Sequence, residues 1–182
     1  MDWPSTKIVF IPGNHDFFPM IKEKFGHKLL GKDLNLKLAN NASLLIDREI
    51  EIPYSNDPSK SIRIYGTPWV PIISYSWAFE AEHDKLVKKF SDIPVDVDIL
   101  LTHTPPRLEA LGISLECGPN SCNFGCSELL DAIFEKKPKH LFCGHIHSGD
   151  HRMNVFCETK IWNVSRLNES YEIAYEPTIM TI

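Results

Sequence analysis

Three short stretches carry side chains that could act together. Gly13-Asn14-His15-Asp16 follows the apolar run "KIVFIP", His103 stands in "THTPP" directly after "VDILL", and His145 and His147 stand in "GHIH" after "HLFC". Imidazole nitrogens and the Asn14 carbonyl make a mixed nitrogen–oxygen donor set. Such a set suits Mn, Fe, Zn or Ni better than Ca or Mg. In an extended segment His145 and His147 would point to the same side, because side-chain direction repeats every two residues, and could hold two metals side by side. Gly13 and Gly144 would let the backbone turn tightly and approach the site.

Each stretch alone has an ordinary explanation. A histidine at a strand end is as a rule a surface or hydrogen-bonded residue, and Gly-Asn-His-Asp is an acceptable turn. The conjunction is what carries weight: three polar clusters, each placed directly after an apolar run. Ligands of open α/β sheets bind at the C-terminal ends of the strands, where three such clusters can converge. His27, His83, His140 and His151 lie outside the clusters and read as structural or surface residues. His151 is close enough to "GHIH" to reach a substrate.

The elements that must position these residues alternate between strand-like and helix-like segments. "KIVFI", "VDILLTH" and "HLFCG" are short apolar runs of the kind found in strands covered on both faces. "SLLID", "EIEI" and "SIRIYG" read as successive strands, "MNVFCET" and "KIWNVS" as a hairpin, and "PTIMTI" as a last strand. Helices are expected at "MIKEKFG", ended by Gly26, at "AFEAEHDKLVKKF" and at "CSELLDAIFEKK". In the last, Leu129, Leu130, Ile133 and Phe134 share one face, Lys136 and Lys137 suit the C-terminal dipole, and Pro138 stops the helix. The reading is a mixed α/β fold, with 1–182 as a single domain.

Composition narrows the function. With 43% apolar and 24% charged residues among 182, the chain is an ordinary globular protein with room for a real core. A net charge of −5 argues against a general grip on nucleic acid. No run approaches the ~18 apolar residues of a membrane span, and "MDWPSTK" has no signal-peptide pattern. Five cysteines, an odd number, suggest reduced thiols and a cytoplasmic setting. Cys117, Cys122 and Cys126 share the loop "CGPNSCNFGC", at a spacing unlike the usual Cys-x2-Cys pair of a structural zinc site.

At "GNHD", "THTPP" and "GHIH" the sequence resembles the calcineurin-like metallophosphoesterases. "IYGTPWVP", "DILLTHTPP" and "FGCSELL" are similar to their small metallophosphoesterase-domain-containing branch. The resemblance implies a sandwich of two mixed β-sheets flanked by helices. It implies hydrolysis of phosphomonoesters or phosphodiesters by a metal-activated hydroxide, using one or two divalent ions of Mn, Fe, Zn, Ni or Co. Carried over by motif, Asn14, His103 and His145 ligate one metal and His147 the other. Asn14 and His15 lie against the phosphate, and His15 helps protonate the leaving oxygen, a job that suits an imidazole. Asp16 is expected to cap the segment after it, and Thr104 and the two prolines to shape their loop.

The family pattern opens with an Asp-x-His on a first strand and a Gly-Asp on a second, and neither precedes "GNHD" here. The resemblance therefore implies a chain missing the first strands, truncated relative to the family, with a half-built dinuclear centre. The expected consequence is weak hydrolysis of a small phosphate ester or nucleotide. The alternative is binding of nucleotide or phosphate without turnover. An unpaired sheet edge would favour a homodimer.

Overall fold

The computed structural model describes residues 7–16, 41–108, 124–149 and 151–181. The helix expected at "MIKEKFG", His27, Cys117 and Cys122 lie outside them.

The backbone of the fold is a six-stranded mixed sheet. Its strands are β3 (Arg48–Pro53), β4 (Ser61–Thr67), β7 (Ile99–Thr102), β8 (His140–Cys143), β9 (Asn154–Phe156) and β10 (Thr159–Asn163). In space they run β3, β4, β7, β8, β10, β9. The four central strands are parallel, and the outer two are antiparallel to their neighbours. The C-terminal ends of β4, β7, β8 and β10 therefore share one rim.

Period-two alternation splits β4, β7 and β8 between two cores. Tyr65, Leu100, Leu141, Cys143 and Ile161 face helices α1 (His83–Ser91) and α2 (Ser127–Lys136), packing with Leu86, Phe90, Leu129 and Ile133. Ile50, Ile52, Ile62, Ile64, Ile99, Leu101 and Phe142 face the other way. Burying each such side chain stabilises the fold by about 1.5–3 kcal/mol.

The second face is met by a parallel pair, β1 (Ile8–Phe10) and β2 (Ala42–Leu44), through Val9, Ile11 and Leu45. Contact is close at Gly66, where an added β-carbon would lie 2.5 Å from Leu45 Cβ and 2.7 Å from Ile11 Cγ2. The pair represents the second sheet among the described residues. A further short parallel pair, β5 (Val70–Pro71) and β6 (Glu80–Ala81), leads into α1.

Several expectations shift in detail. The helix at "AFEAEHDKLVKKF" begins only at His83, because Glu80 and Ala81 pair as β6 and Phe79 has a left-handed φ of 58°. In α2 the buried residues are Leu129, Ala132 and Ile133, whereas Phe134 is exposed. Lys137 closes that helix in the left-handed conformation, with its N–H on the Ile133 carbonyl, directly before Pro138. "PTIMTI" forms no strand over its described residues, and Ile179 stands in solvent. No described helix is long and apolar enough to cross a membrane.

Candidate functional site

Three chain segments meet at the shared rim. β1 runs into a turn closed by Asp16, whose N–H donates to the Gly13 carbonyl (3.0 Å) and whose Oδ2 accepts from Gly13 N (2.6 Å). Asp16 thus closes "GNHD" backwards, and the segment it was expected to cap lies outside the described residues. The turn leaves Asn14 buried and His15 exposed. Gly13 is needed here for close approach: a β-carbon would lie 2.7 Å from His103 Cε1 and 3.0 Å from its Nε2.

β7 delivers His103. The loop behind it is fastened to α2, with Cys126 N donating to the Pro105 carbonyl and Arg107 N to that of Cys126. Buried Thr102 and Thr104 brace it through Thr102 Oγ1 donating to the Thr104 carbonyl (2.8 Å). β8 delivers "GHIH". Gly144 N donates to the His103 carbonyl (3.1 Å), and Ile146 N donates to that of Gly144 (2.7 Å).

That segment is a turn, not the extended stretch expected. His145 has φ 68°, a left-handed conformation that costs a non-glycine residue about 1–3 kcal/mol and marks a place held by its surroundings. Gly144 is not the crowded member: a β-carbon on it meets nothing within 4 Å.

The structure brings most of the expected residues together. His103 Nε2 lies 2.8 Å from Asn14 Oδ1, and the His103 and His145 rings are 4.7 Å apart. Burial pushes His103 down to about 3, with His145, His15 and His147 adding to the shift. Burial likewise pushes His145 down to about 4, with help from His147 and His15. Burial thus keeps the two inner imidazoles, His103 and His145, neutral near pH 7. His147 sits to one side. Its Nδ1 donates to the Asn168 carbonyl (3.0 Å), which leaves Nε2 as the ring nitrogen outside that bond, and Tyr171 packs against the ring in a T-shaped contact.

The donor chemistry fits a transition metal. Neutral buried imidazoles beside an amide oxygen are what such an ion binds. The ring nitrogen and the amide oxygen, 2.8 Å apart, are at hydrogen-bond distance, and two tetrahedral ligands at roughly 2.1 Å from one ion would stand about 3.4 Å apart, so only a small separation would let both face it. Among the described residues, however, no group of three or more His, Cys, Asp or Glu is gathered tightly enough to hold a metal. What is assembled is the Asn14–His103 pair with the His145 ring tilted beside it.

Other residues touch the site without having been singled out by sequence. Trp77 packs on His15 with ring centroids 4.3 Å apart, and Ala78 N donates to the Asn14 carbonyl (2.9 Å). Their loop is gathered by Glu80, whose carboxylate accepts from Ile73 N, Ser74 N and Trp77 N. Asn163 Nδ2 donates to the Ile146 carbonyl (2.7 Å). Asn163 had a legible signal, since "KIWN" is a fourth apolar run ending in a polar residue. His151 bonds through Nε2 to the His147 carbonyl and stacks on Tyr175. His83 pairs with Glu128 between the helices, and His140 stacks on Trp162. Burial pushes the Cys126 thiol well above its usual range, so it is no ready thiolate ligand.

Known proteins with similar sequences point the same way. A model described as calcineurin-like phosphoesterase matches residues 2–149. A UPF0046 protein of Caenorhabditis elegans is 38% identical over 80% of this chain and 34% of its own length. A second UPF0046 protein of that organism is 29% identical over 98% of this chain and 63% of its own. The human metallophosphoesterase domain-containing protein 1 is 34% identical over 80% of this chain and 46% of its own. The chain thus spans between a third and two thirds of the length of these three relatives. A solved crystal structure with 15% identity superposes with a TM-score of 0.57 over 88% of this chain and 58% of that one, a likeness of fold.

Proposed function

Because the chain belongs to the calcineurin-like phosphoesterase family, we propose that it is a metal-dependent hydrolase of small phosphate esters, nucleotides among them. The observation that carries this reading is the contact of His103 Nε2 with Asn14 Oδ1, beside the His145 ring. It joins two chain segments 89 residues apart into one neutral donor set. Asn14, His103 and His145 would hold one divalent ion, and His147 would offer Nε2 to a second. When bound, such ions polarise phosphate oxygens and lower the pKa of water toward neutrality.

The chain's own residues do the rest. Asn14 and the buried imidazoles orient the phosphate without protonating near pH 7. Exposed His15, steadied on Trp77, meets the phosphate from outside and gives a proton to the leaving oxygen.

A second reading is phosphate or nucleotide binding without turnover. It is favoured by the neutrality of the donor set, since the carboxylate of the "GNHD" turn, Asp16, is engaged by Gly13 N. The test is hydrolysis of an aryl phosphodiester with excess Mn. Metal-dependent turnover that falls at least 100-fold in both His103→Ala and His145→Ala supports the hydrolase. Saturable phosphate binding without turnover supports the second reading. Undiminished turnover in both variants overturns the site.

A further inference from the structure

The turn bearing His145 and His147 is gripped from the neighbouring strand. β10 runs parallel to β8, with Asn163 in register with Cys143. Two bonds leave the end of β10. Val164 N donates to the Cys143 carbonyl (2.7 Å), fixing the point where "GHIH" begins. Asn163 Nδ2 donates to the Ile146 carbonyl (2.7 Å), the peptide group between the two histidines. The left-handed His145 lies between these anchors.

Asn163 occupies a core position. Thr159, Ile161 and Asn163 are the buried positions of β10, and Asn163 is 1% exposed. An apolar side chain would continue the line of Ile161 there. The amide is instead bonded at both its nitrogen and its oxygen. Its Oδ1 accepts from Ser165 N (3.1 Å) and lies 2.8 Å from Ser165 Oγ, which is also 3.1 Å from the Ile146 carbonyl. A hydroxyl has one proton to give, and the shorter contact directs it to Asn163. That leaves Asn163 Nδ2 as the firm donor to Ile146 and locks the amide orientation.

We infer that Asn163, seconded by Ser165, is a positioning residue that fixes the turn carrying His145 and His147, on which metal binding by these histidines depends. The inference rests on the reading of those histidines as metal ligands. An anchor one shell away fixes the direction of a ligand it never touches, and loss of such partners typically weakens metal binding 10–100-fold.

Thr159 supplies the control. It is buried at the opposite end of the same strand, and its Oγ1 donates to the Pro138 carbonyl (2.6 Å), remote from the histidines. The experiment is Co(II) titration of the full chain, read by affinity and visible d–d spectrum, with a melting curve for each metal-free variant. Asn163→Ala should weaken Co(II) binding about 10–100-fold and alter the spectrum. Ser165→Ala, the milder change that keeps the inference testable should Asn163→Ala fail to fold, should move both in the same direction by less. Thr159→Ala should lower the melting temperature and leave affinity and spectrum as in the parent. Parent-like Co(II) binding in Asn163→Ala, or in Ser165→Ala where Asn163→Ala does not fold, overturns the inference. So does weakening in Thr159→Ala that simply tracks the loss of stability. A parent that binds no Co(II) through histidine overturns the metal reading itself, and this inference with it.

Discussion

Gly13 and Gly144 flank the same cluster, and their substitutions separate close approach from open space. A methyl on Gly13 must displace His103 or the turn, since it would meet ring atoms at 2.7–3.1 Å. Gly13→Ala should therefore cost about 1–3 kcal/mol in urea denaturation and abolish Mn-dependent turnover, because the Asn14–His103 contact cannot survive it. Gly144→Ala adds a methyl where nothing lies within 4 Å and should change stability by less than about 0.5 kcal/mol. Equal costs at the two positions would contradict the packing described. At this scale the sequence is legible where chemistry and spacing coincide: Asn14, His15, His103, His145 and His147 all stand out. Trp77 and Ser165 do not, because they act through contacts between segments far apart in the chain, and Asn163 carries only the faint signal of closing a fourth apolar run. The left-handed His145 was equally hidden, since alternation along an extended segment was the natural expectation for "GHIH".

Among the elements, α2 shows what periodicity can and cannot say. Leu129, Leu130, Ile133 and Phe134 share a face by spacing, yet only part of that face meets the sheet. Leu129 is fully buried and Phe134 is 61% exposed. Leu129→Ala should cost about 2–5 kcal/mol, while Phe134→Ala should stay within about 0.5 kcal/mol of the parent, both by urea denaturation. A large loss at Phe134 would show that this end of the helix is covered. The strands were the more legible elements, because runs such as "DILL" and "HLFC" must be covered on both faces wherever they sit. "PTIMTI" is rich in apolar residues too but forms no strand over its described residues. "AFEAE" reads as helix by its charges, yet its residues pair as β6 and turn at Phe79.

The whole molecule carries its buried histidines as an acid sensitivity. Folded His103 titrates at about 3 and His145 at about 4, against a usual 6.5. Burial also lowers His140, with Lys160 and Lys139 adding to it. Between the folded and unfolded values the unfolded chain binds protons that the native state refuses, so stability falls as pH falls. The contribution is complete above about pH 6.5 and is lost progressively below it. His83, raised by Glu128, works in the opposite sense, but it is fully exposed and weighs little. The urea midpoint of the metal-free chain should fall steadily from about pH 7 to pH 5, a window above the range in which most carboxylates titrate. The fall should be shallower in His103→Gln. A midpoint independent of pH in that window would mean that these rings are solvated.

The central claim is that strand ends far apart in sequence build one metal-binding phosphoesterase site. Metal content per chain tests it most directly, by elemental analysis of protein purified without chelator and loaded with excess Mn or Zn. At least one tightly held ion per chain is expected, absent from a His103→Ala/His145→Ala double variant whose melting curve shows it folded. No retained ion in the parent, or equal metal in parent and double variant, would contradict it.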